Sequence, residues 1–297
     1  MKIHHIKNLP RINLSSVTIG KFDGFHKGHE HLISQLPQNS GIITFFPLPH
    51  AFFSNSTKVL YTNEEKEEAV LKYFSHNVSQ LITLEFNQEL ANLSGEEFLT
   101  YISKITNHII VGKDFKFGKD RSMNVDNIPK HGMKCTAVLP VEYKTAEGKV
   151  SSSNLKQAVQ NGNFILYNTL SSIPFHITAK VTRGTSIASK TFQTPTANIV
   201  SSIQKIMPPF AVYATTTLID GKSYKSISNY GIKPTFENST PTLETHVFNF
   251  DGNLYDKKIT VSFLKKIRNE IKFDNINQLH FQIMQDIKEA KIFHGIL

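Results

Sequence analysis

Two histidines three positions apart, His26 and His29, follow a glycine-rich turn near the start of the chain. The apolar run before the turn, Val17–Ile19, predicts a buried strand, and the histidines fall where a helix is expected to begin. Side chains at positions i and i+3 share one helix face, so both imidazoles can face one ligand. Glycines let phosphate oxygens approach the backbone, and the free N–H groups of a helix N-terminus attract anions. The pattern predicts a site for a nucleoside triphosphate; a strand–turn–helix corner with two surface histidines is the alternative.

The turn has the sequence Gly-Lys-Phe-Asp-Gly-Phe-His-Lys-Gly-His over residues 20–29. It resembles the opening motif of the prokaryotic bifunctional riboflavin kinase/FMN adenylyltransferases, also called FAD synthetases, and is a variant of the His-x-Gly-His signature of nucleotidylyltransferases. The resemblance implies that ATP phosphorylates riboflavin to FMN, and that adenylyl transfer from ATP to FMN then gives FAD and pyrophosphate. It also implies Mg²⁺ as cofactor and ATP, riboflavin and FMN as substrates. The turn residues implied to bind ATP are Gly20, Phe22, Asp23, Gly24 and Gly28.

A proline-rich segment ends the next predicted strand. Residues 44–49 read Thr-Phe-Phe-Pro-Leu-Pro and are similar to the family's Phe-x-Pro-His-Pro, with Leu48 in place of the histidine. The resemblance places Phe46, Pro47 and Pro49 beside the flavin. A strand that simply ends at a proline is the alternative.

A phenylalanine-rich segment, residues 111–118, is similar to the family's Gly-x-Asp/Asn-Phe-x-Phe-Gly. The resemblance implies that Asp114, Phe115 and Phe117 hold a flavin or adenine ring, and that Arg121 in the following basic stretch binds ATP. The alternative for the two phenylalanines is one face of a core strand.

A serine-rich segment, Ser-Ser-Ser-Asn-Leu-Lys over residues 151–156, resembles the family's phosphate-binding Ser-Ser-Thr-x-Ile-Arg. It implies that Ser151 and Ser152 bind ATP, because hydroxyls at a helix start supply caps and anion donors together. Lys156 replaces the family's arginine and keeps the charge without the bidentate fork. With His26 and His29 we assign it to electrostatic stabilisation as the FMN phosphate attacks the α-phosphorus of ATP. A capped surface helix is the alternative.

The second half of the chain resembles the family's kinase module. Residues 194–198, Thr-Pro-Thr-Ala-Asn, contain Thr196 and Asn198, whose side-chain oxygens suit Mg²⁺ and nucleotide phosphates. Lys190 and Pro195 are implied to bind the nucleotide. The segment before Pro195 lacks two glycines of the family's phosphate loop, so an FMN adenylyltransferase with a degenerate, mainly flavin-binding kinase domain is the alternative function.

Glu244 is the candidate general base of the kinase module. The surrounding Leu-Glu-Thr-His matches the family, and the carboxylate would accept the ribityl 5′-hydroxyl proton as that oxygen attacks the γ-phosphorus of ATP. Arg268, in a longer matching segment, is implied to lie near the flavin and nucleotide. The alternative for Glu244 is a solvated carboxylate on a strand.

The elements that position these residues change character midway along the chain. Strand-like and helix-like segments alternate over residues 1–165 and predict an α/β nucleotidylyltransferase domain with a Rossmann-like, mostly parallel sheet. Residues 166–297 contain consecutive strand-like segments and predict a riboflavin-kinase-like antiparallel β-barrel, closed by a helix over residues 276–293. Two Asp-Gly pairs, at positions 220–221 and 251–252, are hairpin signals within it.

Composition limits the partners and the location. The 297 residues are 39% hydrophobic and 19% charged, as in ordinary globular proteins. The formal charge of +9 suits phosphate-bearing small molecules, while the scattered lysines and arginines argue against nucleic acid. We expect no membrane association, a monomer or weak oligomer, and a cytoplasmic location, with the single Cys135 a small core residue. The alternative from another functional class is a non-catalytic flavin- or RNA-binding regulator. The candidate base and the candidate metal site argue against it, because a binding protein needs neither.

Overall fold

The computed structural model describes residues 3–54, 58–140, 144–145, 148–182, 196–200, 205–232 and 241–296. The chain divides into two compact units, Met1–Asn154 and Leu155–Leu297. Among the described residues, no helix has the length and apolar character needed to cross a lipid bilayer.

A six-stranded sheet forms the centre of the first unit. In chain order the strands of this unit are β1 (Ile3–His4), β2 (Val17–Ile19), β3 (Ser40–Phe46), β4 (Val78–Glu85), β5 (His108–Gly112), β6 (Lys116–Phe117), β7 (Met123–Asn124), β8 (Lys134–Val138), β9 (Lys144–Thr145) and β10 (Gly148–Lys149). The order in the large sheet is β1-β4-β3-β2-β5-β8, and every neighbouring pair is parallel. This confirms the predicted parallel α/β class.

The α-helices of this part of the chain are α1 (Lys27–Ser34), α2 (Pro49–Ser54), α3 (Asn63–Tyr73), α4 (Gln88–Asn92), α5 (Gly95–Ile102) and α6 (Ser152–Gln160). A capping box begins α5: the Ser94 side chain accepts from the N–H of Glu97, whose carboxylate accepts from the N–H of Ser94. Cys135 is partly buried and packs against the apolar core of the unit.

The strand order places a switch point beside β2. From β2 the chain adds β3 and β4 on one side, and later adds β5 and β8 on the other. Ligands of open parallel sheets bind at the carboxyl ends of the strands where the order reverses. The segments that leave β2, β3 and β5 begin at Gly20, Pro47 and Lys113, so three of the predicted motifs share this edge.

The second unit is built on an antiparallel sheet that curls into a half-barrel. Its elements are α7 (Phe164–Leu170), β11 (His176–Lys180), β12 (Thr196–Val200), β13 (Ala211–Ile219), β14 (Lys222–Gly231), β15 (Thr242–Val247), β16 (Lys258–Asn269) and α8 (Ile276–Phe293). The strand order is β11-β16-β13-β14-β15-β12. The predicted barrel class and the C-terminal helix are confirmed.

One of the two predicted hairpins is present. Asp220 and Gly221 have φ of 49° and 80° and join β13 to β14, with Ile219 paired to Lys222, as a two-residue hairpin requires. The prediction at Asp251-Gly252 is wrong, since β14 and β13 separate β15 from β16 in the sheet. Neither residue of that pair has the positive φ that a tight two-residue turn of this sequence needs.

Candidate functional site

The imidazoles of His26 and His29 stack on each other at the N-terminus of α1. Their ring centroids are 3.7 Å apart, with 19° between the planes. His26 is the N-cap residue, and its Nδ1 accepts a hydrogen bond from the His29 backbone N–H at 3.2 Å. The predicted pair therefore lies on one helix face, beside the N–H groups that an anion would approach.

The hydrogen bonds assign different protonation patterns to the two rings. His26 Nδ1 accepts, so the proton of the neutral ring is on Nε2, which can donate to a phosphate oxygen. His29 Nδ1 lies 2.9 Å from the carbonyl oxygen of Gly24, which can only accept, so His29 carries its proton on Nδ1. The Nε2 of His29 becomes a donor only when that ring is protonated.

Burial lowers the pKa of His29 well below its usual value, and a positive charge on His26 or on Lys66 lowers it further. A protonated His29 ring would lie against the stacked His26 ring, in a position where water solvates its charge poorly. A phosphate group placed at the two rings opposes this effect, because a negative charge favours the imidazolium form. Binding of a phosphate group at these rings would therefore be coupled to proton uptake by His29.

The turn before α1 points its large side chains inward. Phe22 and Asp23 are 1% and 2% exposed, and the Phe22 ring lies 4.9 Å from the His29 ring. Asp23 Oδ1 accepts a hydrogen bond from the Leu60 backbone N–H at 2.9 Å, which joins the turn to the segment before α3. Phe22 has φ of 43°, a conformation that a bulky residue adopts only where its surroundings require it.

The three glycines of the motif have steric or conformational roles. A Cβ at Gly20 would lie 3.0 Å from the Phe22 ring, and a Cβ at Gly28 would lie 3.1 Å from both Cε1 and Nδ1 of His26. Gly24 has φ of 86°, which favours glycine. The glycines therefore allow the buried Phe22 and the position of the His26 ring.

Lys66 is a buried residue of this region that the sequence analysis did not select. It lies on α3 and is 2% exposed, with Nζ 3.3 Å from the Lys21 carbonyl oxygen and 3.4 Å from Thr44 Oγ1. Burial lowers the pKa of Lys66 to about 8, and the negative charge of Asp23 opposes that shift. Its spacing from buried Ala69 and Val70, at i+3 and i+4, was the available signal for a lysine on the inner face of the helix.

The carboxyl ends of β3 and β4 carry a cluster of phenylalanine rings. Phe86 makes edge contacts with Phe45, Phe52 and Phe53 at centroid distances of 5.8, 5.5 and 5.9 Å. Phe53 is 70% exposed, which leaves an aromatic surface open beside the proline-rich segment. The sequence analysis missed Phe52, Phe53 and Phe86, although the Phe-Phe pair begins three residues after the motif ends.

The proline-rich motif itself bends the chain out of β3. The Phe46–Pro47 peptide is cis, Pro49 begins α2, and both prolines and Phe46 are half-buried. Leu48, which replaces the family's histidine, is 3% exposed and lies in the core. The apolar residue is therefore accommodated without exposing it to the site.

The segment after β5 has some residues at the surface and others in the core. Asp114 is exposed and Phe115 is half-buried, while Phe117 is 7% exposed and contacts Phe98 in the core. The Phe115 and Phe117 rings stack 5.5 Å apart, at 18°. Arg121 is exposed in the short 3₁₀ helix Lys119–Arg121, with φ of 57°.

The serine-rich segment caps α6. Ser151 Oγ accepts from the Asn154 N–H at 3.3 Å and also hydrogen-bonds the Asn154 side chain, while Ser152 is the first residue of the helix. Both serines belong to the first unit, and Lys156, half-buried on α6, belongs to the second.

The sheet register of the second unit brings the predicted kinase residues together. Glu244 on β15 lies opposite Asn198 on β12 and opposite Asn229 on β14, and Thr196 lies opposite His246. Glu244 is half-buried. Lys190 and Pro195 lie outside the described residues.

Arg268 is held by the C-terminal helix. Its Nε and Nη2 donate to the two carboxylate oxygens of Asp286 at 2.8 and 2.6 Å, and Gln282 also donates to that carboxylate at 2.9 Å. Asp286 is 4% exposed. This bidentate pair joins β16 to α8 and orients the guanidinium. Asp286 was missed by the sequence analysis, because a single aspartate on a helix gives no signal of a distant partner.

Comparison with known proteins covers both units. A family model described as FAD synthetase matches residues 10–154, and one described as riboflavin kinase matches residues 171–294. Two proteins named "Bifunctional riboflavin kinase/FMN adenylyltransferase" are close in sequence. One, from Buchnera aphidicola, is 36% identical over 99% of both chains; the other, from Pseudomonas fluorescens, is 32% identical over 92% of this chain and 91% of its own.

A solved structure has the same overall fold. It is titled a macrolide-efflux protein from Streptococcus pneumoniae, and it aligns with a TM-score of 0.84 and 27% identity over 97% of each chain. The two family models, the full-length relatives and the two folded units agree with one another. The chain belongs to the family of bifunctional riboflavin kinase/FMN adenylyltransferases.

Proposed function

We propose that this chain makes FAD in two steps, with riboflavin phosphorylation in residues 166–297 and FMN adenylylation in residues 1–165. The observation that carries the transferase assignment is the stacked pair His26 and His29, at the N-terminus of α1 and at the switch point of a parallel sheet. A cytoplasmic location and a monomeric or weakly associated state are part of the same proposal.

In the adenylyl transfer, the turn from Gly20 to Gly28 binds the triphosphate of ATP. The His26 Nε2–H donates to a phosphate oxygen, and His29 becomes a second donor as the bound phosphates favour its protonated form. Lys156, Arg121 and the Ser151–Ser152 helix start add positive charge and hydrogen-bond donors to the phosphates. As the FMN phosphate attacks the α-phosphorus, these donors stabilise the charge that moves onto the leaving pyrophosphate.

The flavin of FMN lies at the neighbouring strand ends. Phe46, Pro47 and Pro49 form one wall, and the exposed Phe53 of the ring cluster extends it. Asp114 and Phe115, exposed and half-buried on the other side of β2, contact the ring system, with Phe117 supporting Phe115 from the core.

In the kinase reaction, Glu244 accepts the proton of the riboflavin 5′-hydroxyl as its oxygen attacks the γ-phosphorus of ATP. Asn198 lies opposite Glu244 in the register and Thr196 lies two residues along the same strand. Their side-chain oxygens are of the hard type that Mg²⁺ prefers, so this donor set fits the ion. When bound, Mg²⁺ would neutralise phosphate charge; Lys190 and Pro195 hold the nucleotide, and the Asp286-bound Arg268 lies at the flavin.

The test is to incubate the purified chain with riboflavin, ATP and Mg²⁺ and to follow flavins by chromatography, with ADP and pyrophosphate measured separately. FMN should appear first with ADP, and FAD should follow with pyrophosphate. A chain that makes FAD only from supplied FMN, and releases no ADP with riboflavin, would refute the kinase assignment. A chain that binds flavin without consuming ATP would refute both assignments.

A further inference from the structure

The ammonium group of Lys66 lies directly beneath the turn that carries the imidazole pair. It contacts the Lys21 carbonyl oxygen at 3.3 Å and Thr44 Oγ1 at 3.4 Å, and the Thr44 hydroxyl itself donates to the same carbonyl at 2.9 Å. Thr44 and Lys66 are 0% and 2% exposed. Two donors from two different elements therefore hold one carbonyl of the turn in the protein interior.

Burying a charged lysine costs free energy unless the charge is compensated. A lysine at this buried position therefore indicates that its charge has a role. Asp23 of the same turn supplies negative charge nearby, and it is itself 2% exposed and bonded to the Leu60 N–H. A well-packed apolar side chain at position 66 would fill the space without this cost. The geometry points to the turn as what the lysine acts upon.

The peptide plane links the inner contact to the Phe22 N–H on its opposite side. In a trans peptide, the carbonyl of one residue and the N–H of the next point in opposite directions. Since the Lys21 carbonyl points inward to Lys66 and Thr44, the Phe22 N–H points away from them. Phe22 also has φ of 43°, a strained conformation that needs such external restraint.

We propose that Lys66 is a positioning residue for adenylyl transfer: its buried ammonium group holds the Lys21 carbonyl inward, so that the Phe22 N–H faces the triphosphate beside His26 and His29. This rests on the proposed triphosphate role of the turn. Lys66 does not touch the substrate; it acts through the backbone of residues 21–22 and adds a positive charge behind the phosphates. Its matched control is Lys72, an exposed lysine on the same helix.

Rate measurements give the first test. Lys66→Met keeps the apolar stem of the side chain, up to the position of Cε, and removes its charge and its hydrogen-bond donors. It is expected to lower FAD formation from FMN and ATP at least tenfold, while FMN formation from riboflavin in the same preparation changes less than twofold. Lys72→Met is expected to change neither rate by more than twofold. Wild-type FAD formation by Lys66→Met would overturn the proposal.

A spectroscopic test reads the turn itself, independently of turnover. The sequence contains three Lys-Phe pairs, at 21–22, 116–117 and 272–273. Protein labelled with ¹³C at lysine carbonyls and ¹⁵N at phenylalanine amides therefore gives three selectively filtered amide signals. Inorganic pyrophosphate with Mg²⁺ should shift the Phe22 signal in the wild type and in Lys72→Met, and should leave it unmoved in Lys66→Met.

The unliganded Phe117 and Phe273 signals show whether each variant is folded. If Lys66→Met does not fold, Lys66→Gln replaces it; glutamine is one bond shorter and cannot span the contact, so the same loss is expected. A Phe22 response like that of the wild type in the folded variant would overturn the proposal. If the wild type forms no FAD but shows the Lys66-dependent Phe22 response, the proposed function fails and the positioning role stands.

Discussion

Replacing Gly28 by alanine tests the position of the His26 ring, because it moves that ring and leaves the stability of α1 nearly unchanged. A Cβ at position 28 would lie 3.1 Å from His26 Cε1 and Nδ1, whereas nonbonded carbon atoms prefer about 3.5–4.0 Å. The ring must therefore move by roughly 0.4–0.9 Å. That movement weakens its cap bond to the His29 N–H, now 3.2 Å long.

The two effects on stability nearly cancel. Alanine is favoured over glycine within a helix by about 0.8–1.0 kcal/mol, and loss of an N-cap bond costs about 1 kcal/mol. The effect on the reaction does not cancel, because displacing a positioned group by roughly 1 Å can cost 10²-fold in rate. Gly28→Ala is therefore expected to form FAD from FMN about 10- to 100-fold more slowly, with little change in its urea midpoint.

The assay compares FAD formation from supplied FMN with FMN formation from riboflavin in one preparation. The second rate is the internal control, because its proposed residues lie in the other unit. A Gly28→Ala protein with the wild-type rate of FAD formation would refute the steric reasoning. So would a protein that lost both rates equally.

Three further predictions concern the candidate base Glu244, the ion pair of Arg268 with Asp286, and the pKa of His29. Glu244→Gln is expected to lose FMN formation by about 10²-fold or more and to adenylylate supplied FMN normally; joint loss of both activities contradicts separate sites. Asp286→Ala leaves Arg268 without its buried partner and should lower the free energy of unfolding in urea by about 3 kcal/mol. Glu289→Ala, at an exposed ion pair of the same helix, should lower it by less than about 1 kcal/mol. Equal losses in the two variants would contradict the role of the buried pair. Because folding lowers the pKa of His29, the unfolded chain takes up this proton first as the pH falls below about 6.5. The wild type should therefore lose up to about 1.4 kcal/mol per pH unit relative to His29→Gln in that range, and parallel pH profiles would contradict the assignment.

The fold and the turn were predictable because local pattern and chemistry agreed there. The apolar β2, the glycines and the two histidines follow one another within thirteen residues, so the geometry of the site is local in sequence. Asp220-Gly221 likewise forms its turn from its own backbone preferences. Asp251-Gly252 has the same composition, but the position of β16 between β11 and β13 determined the outcome.

Residues whose role depends on a distant partner were not predictable. Lys66 and Asp286 are charged residues on helices, for which an exposed position is the ordinary expectation. Each is buried because it forms hydrogen bonds with groups far along the chain. Lys66 bonds Lys21 and Thr44, and Asp286 bonds Arg268. The ring cluster around Phe86 was missed for the same reason, since it forms only when the ends of β3 and β4 are adjacent.

The central claim is that the His26–His29 pair stabilises the phosphates of ATP during adenylyl transfer. Its most direct test is the rate of FAD formation from FMN and ATP by His29→Ala, measured beside His31→Ala on the same helix. Loss of one preorganised donor to a developing charge typically costs about 10²–10³-fold. His29→Ala should fall by that factor with FMN formation from riboflavin intact, and His31→Ala should keep both rates; a His29→Ala protein that makes FAD as fast as His31→Ala would contradict the account.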